Sequence, residues 1–178
     1  MSEHFAEILA VGGKSNSLGR ASEVIESVLE DKSRLGELYD CLFDEDAWTR
    51  MRAADSLEKV CREHPEWLQP YIDRFPRELA ASSQPSIQWH LAQIYAEVEL
   101  SEEQRQFAIK WLKGLLSTTE VDWIVAANAM DTLHQFTKEG YFPVDDLIKL
   151  VHIQQGHKSN SVIKRANKLL DILSVKEG

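Results

Sequence analysis

Several things that would settle the class of this chain by themselves are scarce or missing. Two cysteines, Cys41 and Cys61, in 178 residues make no disulfide framework and fit a reducing compartment, so a cytoplasmic location is expected. No apolar run approaches the roughly 18 residues of a membrane span. The amino-terminal MSEHFAEILAVGG lacks the basic start and long apolar stretch of a signal peptide. Positive charge is the minority: 20 Lys and Arg against 29 Asp and Glu leave a net charge of −9. Nucleic acids and anionic membranes both attract surplus positive charge, so neither is an expected partner.

Catalytic signatures are missing too. No GxSxG occurs, and Cys41 and Cys61 fall on apolar helical stripes, as small buried hydrophobes do. The histidines at 4, 64, 90, 134, 152 and 157 include no pair three or four residues apart and no CxxC neighbour, so no metal site is expected. Gly13-Lys14-Ser15 has the ending of a phosphate-binding loop, but the glycine required five residues before Gly13 is Ile8. The sequence supplies no catalytic residue and implies no cofactor.

What is present is helical periodicity. Hydrophobic residues make up 43% and charged residues 28%, an ordinary globular balance. Glycine (8 residues) lies mostly outside the periodic runs, and alternating strand-like runs are absent. Leu35, Leu38, Tyr39 and Leu42, then Met51, Ala54, Leu57 and Val60, recur at the three-and-four spacing of one apolar helix face. The spacing predicts helices over 4–10, 17–30, 33–43, 47–63, 66–80, 85–98, 102–117, 120–138, 144–155 and 159–174. Pro65, Pro85 and Pro143 open runs, where a missing N–H costs no intrahelical bond. Ser101 with Gln104, and Ser117 with Glu120, have capping-box spacing. Gly140 and Gly156 follow runs, as helix-stopping glycines do, and Pro70 and Pro76 should break or kink the fifth helix.

The runs repeat. Thr49–Leu57 returns 38 residues later as Ile87–Tyr95, again 38 later as Val125–Leu133, and 37 after that as Val162–Leu170. Each copy opens on a β-branched residue, holds small or apolar residues in the middle and closes on Leu or Tyr. Val60, Val98, Phe136 and Leu173 stand three residues beyond. Lys14-Ser-Asn-Ser17 returns as Lys158-Ser-Asn-Ser161, each ahead of a helix containing Arg-Ala. A hairpin of this length cannot bury its apolar face alone, so neighbouring hairpins must stack and share a core.

Asp44-Glu-Asp46, Thr49-Arg50 and Ala53-Ala54-Asp-Ser-Leu57 together resemble the HEAT repeat, in which an acidic turn precedes a second helix bearing Val-Arg-x-x-Ala-Ala-x-x-Leu. Later copies keep the apolar skeleton but carry Gln88, Ala126 and Ile163 where Arg50 stands. The stretches GGKSNSLGRASEVI and RMRAADSLEKV are also similar to a bacterial HEAT-like family. The resemblance implies an all-α fold: a right-handed α-α superhelix, or α-solenoid, of about four hairpins. Residues 1–178 then form one domain, with capping helices over 1–32 and repeats of about 38 residues over 33–174.

In that fold the second helices line the concave side. One ladder across them is Arg52, His90, Asn128 and Arg165; a second, three residues on, is Asp55, Gln93, Asp131 and Lys168. Trp48 lies one turn before the first ladder. Any amphipathic helix has a polar side, but His, Asn, Gln, Trp and Arg on it favour directional contacts over mere solvation. The expected function is a non-catalytic protein–protein interaction module, or scaffold, taking a protein or peptide partner on Trp48, Arg52, Asp55, His90, Gln93, Asn128, Asp131 and Arg165. Docking by the convex face is equally compatible with the sequence. A second class is the HEAT-like alkylpurine DNA glycosylase, which uses concave Trp and Asp residues around a basic groove. No tryptophan here has an Asp four residues later, and the groove would carry Asp55 and Asp131, a poor match to phosphate. Trp48 and Trp123 each follow an acidic turn; burial trends predict that they wedge between repeats.

Overall fold

The computed structural model describes residues 3–13 and 17–174. Residues 14–16, which carry most of the Lys14–Ser17 echo and of Gly13-Lys14-Ser15, lie outside that set, as do 175–178. Among the described residues every regular element is helical. In chain order they are α1 (Phe5–Ala10), α2 (Ala21–Glu30), α3 (Leu35–Asp40), α4 (Ala47–Glu63), α5 (Phe75–Glu78), α6 (Pro85–Glu97), α7 (Glu102–Leu116), α8 (Trp123–Lys138), α9 (Val144–Gln154) and α10 (Asn160–Ser174), with 3₁₀ segments at Lys32–Arg34, Cys41–Phe43 and Pro65–Arg74.

Local chemistry sets most boundaries. Asp46 accepts from the Thr49 N–H at 2.7 Å and starts α4, while Ser101 and Gln104 form the expected capping box on α7. Gly140 takes φ +82° after α8, a conformation that favours glycine. Two expectations are corrected. Ser117 closes α7 instead of opening the next helix, because Asp122 caps α8 through the Ile124 N–H at 2.9 Å. The span 66–80 is broken, as Pro70 and Pro76 imply, but it is ten residues of 3₁₀ followed by the single turn α5 and not an α-helix. Pro70 and Pro76 each lack the N–H that an α-helical ladder needs.

The helices form two rows. α4 packs on α6, α6 on α8 and α8 on α10, with α1 and α2 against the outer side of α4. Three of these second helices are backed by their own first helix: α3 behind α4, α7 behind α8 and α9 behind α10. The apolar core lies between the rows. Its columns follow the sequence period: Ala54, Ala92 and Met130 are buried, as are Leu57, Tyr95 and Leu133. Burying one such large side chain contributes about 1.5–3 kcal/mol. At α10 both columns change character. Asn167 is exposed and accepts from Gln155 Nε2 at 2.7 Å, and Leu170 is only half-buried. A polar outer face is what a terminal repeat of a stack requires. The chain is thus an all-α solenoid of stacked hairpins with amino-terminal helices against the first.

Candidate partner-binding face

The eight residues expected on the second-helix face do not all share one environment. Arg52 is 2% exposed and belongs to the interior. Its Nε donates to Ser17 O at 2.9 Å, Nη1 to Leu9 O at 2.7 Å and Nη2 to Gly13 O at 3.2 Å. Gly12 lies flat against the guanidinium, where a Cβ would collide with it. Arg52 is therefore a tie for Leu9, Gly13 and Ser17 and not a residue that meets a partner: these residues and Gly12 fold back over α4 and cover it. His90, 7% exposed, is corrected in the same way. Its Nδ1 meets Gln93 Oε1 at 3.0 Å, which makes Nδ1–H the donor. Burial pushes its pKa down to about 4, with Asp55 opposing and Lys59 and Arg62 adding to the shift.

The other two members of the first ladder are more open. Asn128 is half-buried and turns its Nδ2 back to Ile124 O at 2.9 Å. Arg165 is exposed and reaches across to α8, where its Nε donates to Asp131 Oδ1 at 2.8 Å. The second ladder is less covered: Asp55 and Gln93 are half-buried, and Asp131 and Lys168 are exposed. At two of the three steps the second-ladder residue of one repeat acts on the first-ladder residue of the next. Asp55 acts on His90, and Asp131 pairs with Arg165. Asp55 also holds Lys59 at 2.7 Å.

Between α4, α6 and α8 these side chains surround a cavity of about 260 Å³. Gln93, Asn128 and Asp131 line it; Trp48, Arg52, Asp55, His90 and Arg165 do not. Five further polar lining residues were missed in the sequence: Glu58, Arg62, Glu97, Thr132 and Gln135. Glu58, Glu97 and Gln135 lie about one turn beyond Asp55, Gln93 and Asp131 on the same helix faces, so extending the second ladder by three or four residues would have found them; Arg62 stands a further turn along α4. Glu58 is buried beneath the opening and held by Arg62 at 2.6 Å, and burial raises its carboxyl pKa. The cavity rim is therefore amide and carboxylate, with one cation already engaged.

Trp48 and Trp123 do not wedge between repeats. They are 44% and 49% exposed, at the amino-terminal ends of α4 and α8, away from the cavity. The thiols of Cys41 and Cys61 are buried, and that burial pushes each up to about 12. Among the described residues no cluster of three or more His, Cys, Asp or Glu is arranged to hold a metal ion. Among the same residues no helix is long and apolar enough to cross a membrane.

Stacked hairpins of this period define a helical-repeat protein, and comparison with known families agrees. The chain matches the model of the HEAT repeat domain over residues 14–124, and it belongs to that family. The match takes in α2 and ends at the start of α8. The last two copies are tied to the first two by the internal period and by the continuous row α4–α6–α8–α10. Neither the curated proteins nor the solved structures give a match to the chain.

Proposed function

We propose that this HEAT repeat protein is a non-catalytic interaction module that takes a protein partner, as an extended segment, along the face of α4, α6, α8 and α10. The observation carrying this reading is the shared cavity to which α4 contributes Glu58 and Arg62, α6 contributes Gln93 and Glu97, and α8 contributes Asn128, Asp131 and Gln135. Amide side chains on neighbouring repeats both donate and accept, which suits the alternating N–H and C=O groups of an extended main chain. The ion pairs Glu58–Arg62 and Asp131–Arg165 hold the neighbouring side chains in place, so less ordering entropy is lost on binding. Asp55 and Asp131, both paired with cations, give no support to the glycosylase reading.

The test is site-specific photo-crosslinking in native extract from Gln93 and from Asn128, with Lys110 on α7 as the control position. The expected result is a shared adduct from the two groove positions that is missing from Lys110. Adducts from Lys110 alone would place the partner on the first-helix row. The substitution Asp131→Arg should abolish the groove adduct while helical circular dichroism stays unchanged.

A further inference from the structure

The edge of the solenoid where the second helices begin carries two features the groove does not use. Trp48 follows Asp44, Glu45 and Asp46; Trp123 follows Glu120 and Asp122. The two indoles are among the most exposed large side chains of the described residues. Both turns are rigidly built from the next repeat. Gln84 Nε2 donates to Ala47 O at 2.9 Å, its Oε1 accepts from Arg50 Nε at 2.7 Å, and Arg50 Nη1 holds Asp44 O at 2.7 Å and Glu45 O at 2.9 Å. At the second turn His157 plays the same part. Its Nδ1 accepts from the Ser159 N–H at 2.9 Å, so its Nε2 carries the proton and donates to Val121 O at 2.8 Å.

The carboxylates at each turn divide their work. Asp46 and Asp122 cap their helices, which offsets the positive end of each macrodipole. Glu45 and Glu120 are exposed, each three residues before its tryptophan, and Glu120 shares a cleft with Trp123. A fixed, half-exposed indole face next to a carboxylate is the chemistry that recognises a guanidinium or ammonium group. Beside Trp123 and Glu120 the surface falls into a cleft of about 550 Å³ reaching Pro85, Leu115 and Lys158. Its apolar floor fits the methylene stem of a long basic side chain.

We infer that this edge is a second docking surface, which binds an extended basic segment of a partner protein by placing one Lys or Arg on Trp48 with Glu45 and another on Trp123 with Glu120. The net charge of −9 draws such a segment in. Trp48 and Trp123 are separated by two helix-to-helix steps of roughly 8–10 Å each. Extended chain rises about 3.3–3.6 Å per residue, so the two basic residues stand about five or six positions apart. The edge is distinct from the amide-lined groove and does not depend on it.

The probe is a Gly-Ser peptide carrying two arginines about five positions apart, with a matched peptide bearing glutamates at those positions. Binding is followed on the indole N–H resonances of the ¹⁵N-labelled protein. The arginine peptide should move the Trp48 and Trp123 signals together and leave those of Trp67, Trp89 and Trp111 in place. Trp48→Ala and Trp123→Ala should each weaken binding about tenfold. The pair Glu45→Gln with Glu120→Gln should weaken it without disturbing any packed side chain. Asp131→Ala should leave it unchanged; a loss there would put the peptide in the groove and overturn the edge. The inference also falls if one indole moves without the other, if the glutamate peptide binds as well, or if either tryptophan variant binds as tightly as the native chain.

Discussion

At Arg52 a guanidinium is buried among backbone carbonyls, and the consequences are energetic. Three donors of one side chain satisfy three carbonyls from two stretches of chain that would otherwise lose their hydration. Replacing it with an apolar side chain of similar length, Arg52→Met, should cost about 3 kcal/mol in urea unfolding. Arg52→Lys should recover little of it, because an ammonium cannot reproduce the planar fork. His90 supplies a test in pH. Its folded pKa is about 4 against an ordinary 6.5, so between those values the unfolded chain binds more protons. Stability therefore falls as pH falls through that window, by about 2 kcal/mol between pH 7 and 5. Glu58 has the opposite sign, since its raised pKa makes the folded state hold a proton over the range where the unfolded carboxyl has lost it. The His90→Asn variant should lose that part of the pH 7-to-5 decline in urea unfolding; an undiminished decline would show that His90 is not buried neutral.

Among the elements, the connections are held as firmly as the helices. Gln154 Nε2 donates to Leu116 O and Thr118 O, both at 2.9 Å, and His157 reaches Val121 O, so the α9–α10 turn is bonded to the α7–α8 turn. Removing two buried bonds in His157→Ala should cost about 2 kcal/mol in thermal unfolding. Exchange of amide hydrogens should quicken around Val121 and Asp122 before it does in α6. The elements also show what the sequence could disclose. The bounds of α4 are legible to the residue, because Asp46 and the apolar period act locally. After Pro65 the sequence discloses the break but not the 3₁₀ form, because two prolines weaken the α-helical alternative without naming its successor. In the site, the polarity of the ladders was visible but their burial was not. Nothing in the period of α4 says that Leu9, Gly13 and Ser17 fold back onto Arg52, a contact between distant parts of the chain. Nor does it say that α4 presses on His90.

For the molecule as a whole, stacking makes stability depend on position. α6 and α8 are each packed on both sides by other second helices, whereas α10 has α8 on one side and the Asn167–Gln155 pair on its outer surface. In a nearest-neighbour stack, a helix covered twice gains two interface contributions and the terminal one gains a single contribution. The same column therefore carries unequal weight along the chain. Leu133→Ala, at a fully buried position, should cost about 3 kcal/mol, and Leu170→Ala, half-buried at the end, about 1 kcal/mol. Hydrogen exchange under rising denaturant resolves where each loss falls. The amides of α10 should open at concentrations that leave α6 protected, and Leu170→Ala should widen that interval without moving α6. If α6, α8 and α10 open together, the interfaces are too strong for the ends to fray separately, and both substitutions should then shift all three helices alike.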